Sequence, residues 1–89
     1  MTDKEVEVAC DILQYLIDHP KAQDTLAGIV TWWIPIATIK RQTALVDRVM
    51  GVLVNRGYII RYEGKDSRTY YKINPWQRKE ITAFLKRKS

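Results

Sequence analysis

The sequence predicts an α+β fold in which three helices are followed by a two-stranded hairpin and a closing helix. Three observations carry that expectation. Apolar residues recur at helical spacing in three stretches ahead of Gly57, and the third stretch runs through that glycine straight into a hairpin pattern. The hairpin pattern is two short runs, Ile60 to Glu63 and Arg68 to Asn74, around the polar cluster Gly64-Lys65-Asp66-Ser67. Asn74-Pro75 then offers a cap and a first-turn proline for a further helix. With 89 residues there is room for one domain and one modest core. Residues 1–74 are therefore expected to form the domain, and residues 75–89 a helix that packs on it or on a second subunit.

The first helix is expected from Asp3 to Asp18. Thr2 and Glu5 have the spacing of a reciprocal cap, and the residue before Pro20 is pushed out of the helical region, which ends the helix at His19. At about 100° per residue, Val6, Ala9, Cys10, Leu13, Leu16 and Ile17 share the expected core stripe, with Cys10 as a small buried hydrophobe. Val8, Ile12 and Tyr15 fall outside that stripe and require a second contact, either with the tail or with another subunit. The second helix starts at Asp24 or Thr25 and runs through Leu26, Ile29, Trp32 and Trp33 until Pro35. Adjacent tryptophans cannot both enter one narrow stripe, so one is expected in the core and Trp32 over a seam.

The third helix is expected to start between Thr38 and Gln42 and to end at Asn55 or Arg56, with Gly57 as left-handed terminator. Ile39, Gln42, Val46, Val49, Met50 and Leu53 make its buried side, and Lys40, Arg41, Ala44, Asp47, Arg48 and Gly51 lie opposite. Ala44 and Gly51 are small enough to let the helix axis approach a surface, while the bases suit phosphate or guanine contacts. In the hairpin, Tyr71 and Ile73 share one side of the second strand, with Tyr70 and Lys72 on the other. Arg61, Lys65, Arg68 and Lys72 read as a basic ladder around a turn in which Gly64 takes positive φ. Lysines at a sheet edge also prevent edge-to-edge pairing. The tail adds Ile81, Phe84 and Leu85, a short apolar stripe to be covered by Val8, Ile12 and Tyr15 or by Trp32. If the cover comes from another copy, the protein is a homodimer.

Charge is divided along the chain. Residues 1–37 hold two bases against six acids, whereas residues 38–89 hold thirteen bases against four acids. A fold that separates its charges in this way orients itself on a polyanion.

Three helices followed by a basic hairpin, with Leu53-Val54-Asn55-Arg56-Gly57-Tyr58-Ile59 leading into Gly64-Lys65-Asp66-Ser67-Arg68-Thr69-Tyr70-Tyr71-Lys72-Ile73, resemble the winged helix-turn-helix superfamily of bacterial transcription regulators. The resemblance implies a recognition helix that reads DNA through Lys40, Arg41, Gln42, Thr43 and Arg48, and a wing that contacts it through Lys65 and Arg68. Together with Arg61 and Lys72 of the ladder, these are the candidate DNA contacts. The link Ile34-Pro35-Ile36-Ala37-Thr38-Ile39 departs from the pattern, being more apolar than a tight turn.

Enzymatic readings find little to stand on. His19 is the one histidine, the four glycines are too scattered for a phosphate loop, and one cysteine makes neither an internal disulfide nor a cysteine-based zinc site. No metal or other cofactor is expected. No apolar run approaches a membrane span, and a cytoplasmic location is expected. The expected function is duplex-DNA binding in transcription regulation, as a homodimer. The first alternative is a winged-helix interaction module that binds a protein partner through its apolar seams, and the second an RNA-binding accessory domain.

Overall fold

The computed structural model describes residues 1–33 and 43–88. Their order is α1 (Asp3–Asp18), β1 (Gln23–Asp24), α2 (Leu26–Gly28, continued by a π-helical turn, Ile29–Trp33), α3 (Thr43–Asn55), β2 (Ile59–Glu63), β3 (Thr69–Ile73), a 3₁₀ turn (Pro75–Gln77) and α4 (Arg78–Lys88). The three strands form one antiparallel sheet in the order β1-β3-β2. The result is an α+β arrangement of helices against a small sheet. Among the described residues no helix is long and apolar enough to cross a membrane.

α1 starts at the reciprocal cap. Thr2 Oγ1 accepts from the Glu5 N–H at 3.1 Å and Glu5 Oε1 accepts from the Thr2 N–H at 2.8 Å, so two amides left over by the first turn are satisfied. At the other end the His19 N–H donates to the Tyr15 carbonyl at 2.8 Å. The buried side of α1 is Val8, Ala9, Ile12, Leu13 and Leu16 with Glu5, while Val6, Cys10 and Ile17 are half-buried. The stripe expected from periodicity is therefore turned by roughly 70° about the helix axis. The cause is tertiary. α1 is packed by α3 and also by α4, and α4 brings Ile81 and Phe84 into the same core cluster as Val8 and Ile12.

The apolar seam thus closes within one chain. Ile81 is 0% exposed, Val8, Ile12 and Phe84 are buried, and Tyr15 and Leu85 pack half-buried against the same cluster. These side chains need no second copy to cover them, so of the two covers expected for the seam the structure shows the one within the chain. The side chain of Trp32 lies outside the described residues.

α2 begins as expected, with the Thr25 hydroxyl accepting from the Gly28 N–H at 3.3 Å. It then widens into a π turn where a regular helix was expected. The Thr31 hydroxyl donates to the Ala27 carbonyl at 2.8 Å and competes with the helical ladder there, in a run of three β-branched residues, Ile29-Val30-Thr31, that crowd a tight turn. β1 was not expected from the sequence. Its two residues pair Gln23 with Lys72 and Asp24 with Tyr71, and two residues show no periodicity.

α3 buries Leu45, Val46, Val49, Met50 and Leu53 and ends at Gly57, whose φ of +80° is left-handed. The Tyr58 N–H donates to the Leu53 carbonyl and the Gly57 N–H to the Val54 carbonyl, both at 3.0 Å, the bond pair of a Schellman ending. Residues 34–42, which include the expected link and the expected helix start between Thr38 and Gln42, lie outside the described residues. β2 and β3 then place Ile59, Tyr71 and Ile73 against the helices.

Because Ile81 is walled in by its own chain, Ile81→Ala should lower the unfolding free energy by about 2–5 kcal/mol. Sedimentation should give the same mass for variant and wild type. A variant of unchanged stability and halved mass would contradict the packing of α4 on α1.

Candidate nucleic-acid interface

The exposed side of α3 carries Thr43, Ala44, Asp47, Arg48 and Asn55. Gly51 lies on the same side, and a Cβ built on it would meet no atom of the described residues within 4 Å. Packing among the described residues therefore does not ask for glycine in mid-helix, where it costs about 0.5–1 kcal/mol relative to alanine. Arg48 projects from this side and is 63% exposed, with its guanidinium 3.9 Å from the Glu5 carboxylate of α1. Glu5 is held below the usual glutamate range by the backbone and hydroxyl bonds to Thr2 first, and by the Arg48 charge after them. Arg48 is thus leashed loosely, by a carboxylate whose main partner is its own helix cap. Of the other expected helix contacts, Thr43 is exposed, whereas Lys40, Arg41 and Gln42 lie outside the described residues.

The hairpin tip is more rigid than its polar composition suggests. The Gly64 N–H donates to the Arg68 carbonyl at 2.8 Å and the Ser67 N–H to the Gly64 carbonyl at 3.0 Å. The left-handed residue is Ser67, at φ 66°, and not Gly64 as expected, so the loop is a three-residue turn closed by a left-handed position. Gly64 is needed for a different reason. A Cβ there would lie 2.6 Å from the Tyr70 ring. Asp66 organises the tip by accepting from the Arg68 N–H at 3.1 Å and from the Tyr70 hydroxyl at 2.6 Å. The Tyr70 bond, with the Arg68 amide behind it, holds the Asp66 carboxyl below its usual range, and the same bond pushes the Tyr70 hydroxyl up. Lys65 and Arg68 are exposed at this fixed tip, the Arg68 guanidinium 4.0 Å from Asp66.

Arg61 and Lys72 do not continue the ladder along one face. Arg61 pairs with Tyr71 and so shares the face that Tyr71 and, two positions further on, Ile59 and Ile73 bury, while Lys72 pairs with Ile60 on the opposite face. Residues directly opposite in an antiparallel pair share a face, so bases strung along a hairpin make one surface only where their register agrees. On the outer face the Lys72 ammonium sits 5.0 Å from the centre of the Tyr62 ring, and the Tyr62 and Tyr70 rings stack with centroids 5.8 Å apart. The Tyr62 hydroxyl donates to the Gln23 side chain of β1. Sequence reading missed this brace because Gln23 belongs to the strand it did not see.

The arrangement offers one helix face with a small-residue gap, one rigid basic tip, and one aromatic outer sheet face with Lys72 upon it. Among the described residues no three of histidine, cysteine, aspartate and glutamate gather as metal ligands. Comparison with protein-family models, with curated proteins and with solved structures finds no match for the chain.

The depressed Asp66 carboxyl gives the tip a defined response to acid. A carboxyl whose folded value is lowered adds stability that is present above its unfolded value and fades as pH falls through the folded one. Asp66→Asn should therefore unfold at a lower temperature than wild type at neutral pH, and the gap should close as pH drops below the usual aspartate range. A gap that stays constant into that range would mean that the Tyr70 bond does not depend on the ionised carboxylate.

Proposed function

We propose that the chain is a winged helix-turn-helix protein that binds duplex DNA, with α3 as the recognition helix and the β2–β3 hairpin as the wing, and that it acts in transcription regulation. The observation that carries the reading is the open space over Gly51 on the exposed side of α3, beside Ala44 and Arg48. A glycine that no described residue of its own chain requires suits a helix that must lie close to a groove wall. Support also comes from the order of elements, from the left-handed turn that joins α3 to the hairpin, and from two bases on a tip held by its own hydrogen bonds. In this reading Lys65 and Arg68 meet phosphate or the minor groove, Arg48 swings from Glu5 to a base edge or phosphate, Thr43 adds a contact at the first residue of α3, and Lys40, Arg41 and Gln42 remain expected contacts outside the described residues. Arg61 is the further wing contact, and Lys72 faces away from it. A homodimer, as small readers often form, would pair through surface other than the buried α1–α4 seam.

Binding to mixed-sequence duplex should weaken steeply with salt, because each phosphate neutralised releases condensed counterions. Lys65→Ala with Arg68→Ala should flatten the logarithmic salt slope by about two units, at roughly 0.9 for each phosphate that is no longer neutralised. Absence of binding to any duplex at low salt would reject the reading and favour the protein-interaction module.

Gly51 separates stability from binding. Gly51→Ala should raise the unfolding free energy by about 0.5–1 kcal/mol, and Gly51→Gln should weaken duplex binding without unfolding the protein. If Gly51→Gln bound duplex as tightly as wild type, α3 would not be the element in the groove.

A further inference from the structure

The outer face of the sheet and the first turn of α4 form one continuous strip, distinct from the face of α3. Three open grooves follow one another along it. The first, about 390 Å³, lies at the tip between Tyr62, Tyr70, Lys65 and Gln23. Gln23 also lines the second, about 360 Å³, with Lys72, Lys21 and Arg78. Pro75 and Arg78 pass from the second into the third, about 660 Å³, where Trp76, Lys79 and Lys86 stand. Asp66 is the one acid among the described lining residues, and its carboxylate is already bonded to the Tyr70 hydroxyl and the Arg68 amide.

Trp76 is the anomaly on this strip. It is 89% exposed, while the rest of the large apolar set among the described residues is covered apart from Met1. Its backbone is fixed, since its N–H donates to Asn74 Oδ1 at 3.1 Å in the turn that starts α4. The indole is therefore presented from a rigid base into water, at the end of a row that alternates bases with aromatic rings. A duplex has no use for such rings, because its bases are already stacked on each other. Unstacked bases do, and an aromatic platform set in a basic groove is the chemistry that holds a single strand. The five residues of β3 span about 17 Å, which with the flanking grooves accommodates about four nucleotides, the lower end of what one small fold tracks.

We infer that this strip binds single-stranded nucleic acid, with Trp76 as the principal stacking platform, Tyr62 and Tyr70 as the second, and Lys72, Arg78 and Lys79 along the backbone. The inference does not rest on the duplex reading. The test uses the full chain with fluorescein-labelled oligo(dT) and oligo(U) twelve-mers, roughly three times the site, and a labelled mixed-sequence duplex in parallel. Wild type should bind at least one of the two single strands at low salt. Trp76→Ala should weaken that binding about ten-fold, the effect of losing one stacked base, while Trp76→Phe stays within about three-fold of wild type because a smaller ring still stacks. Duplex binding should be unchanged by either variant. Circular dichroism should match wild type throughout, since the indole packs against almost nothing. The inference is overturned if neither single strand binds, if Trp76→Ala binds as wild type does, or if duplex binding falls in step. It is equally overturned if Trp76 is needed for phosphatidylserine vesicles and not for oligonucleotides, which would make the strip a membrane surface. Weakened duplex binding in Arg68→Ala, whose side chain lines none of the three grooves, with oligonucleotide binding kept and still sensitive to Trp76, separates the two sites.

Discussion

Gly57 and Asn74 together hold the place where four elements meet. At φ +80° Gly57 is the left-handed residue in the three-residue turn from α3 to β2, a conformation that costs an L side chain about 1–2 kcal/mol. Asn74 fastens the turn from the far strand. Its side-chain amide donates to the Gly57 carbonyl at 2.7 Å and its N–H to the Tyr58 carbonyl at 3.0 Å, while its Oδ1 receives the Trp76 N–H. The end of α3, the start of β2, the end of β3 and the start of α4 are thereby set by two residues. The angle at which the hairpin leaves α3 follows from that junction, and so does the face of α1 that α4 can reach.

The junction was legible in the sequence, and the surfaces built around it were only partly so. Gly57 announces itself as a helix terminator, Thr2 and Glu5 as a cap, and Asn74-Pro75 as a fresh start, because each is a local signal that tertiary packing seldom overrides. The α1 stripe was misread by roughly 70° because a helix gripped from two sides buries the arc between its partners. Periodicity reports where apolar residues are densest, and Val6 and Ile17 count towards that density whether or not anything covers them. The hairpin bases were misgrouped for a related reason. Arg61 and Lys72 look alike along the sequence and stand on opposite faces once Ile60 is paired with Lys72. β1 left no periodic trace, and with it went the means to see why Tyr62 is held.

Charge and rigidity are tied together at the tip. Asp66 lies between Lys65 and Arg68, and would be expected to blunt a basic surface. Instead its lone pairs are spent on Tyr70 and the Arg68 amide, so it shapes the turn that presents those bases. Glu5 behaves similarly at the other face, where its bonds to Thr2 leave Arg48 only a long contact at 3.9 Å. In both places an acid next to a candidate contact is engaged mainly with hydrogen-bond donors other than that contact's charge, and the neighbouring cation keeps much of its reach.

The closure of α4 on α1 joins two elements far apart in sequence in one core. Val8 and Ile12 precede their cover, Ile81 and Phe84, by some seventy residues. During synthesis from the N-terminus, α1 must therefore wait with an apolar flank bare until α4 has left the ribosome. The three-helix and hairpin portion can assemble beforehand, but it carries an open side in that interval. The final helix acts as a latch, and the moment of greatest exposure to aggregation or to a chaperone is the short delay before it shuts.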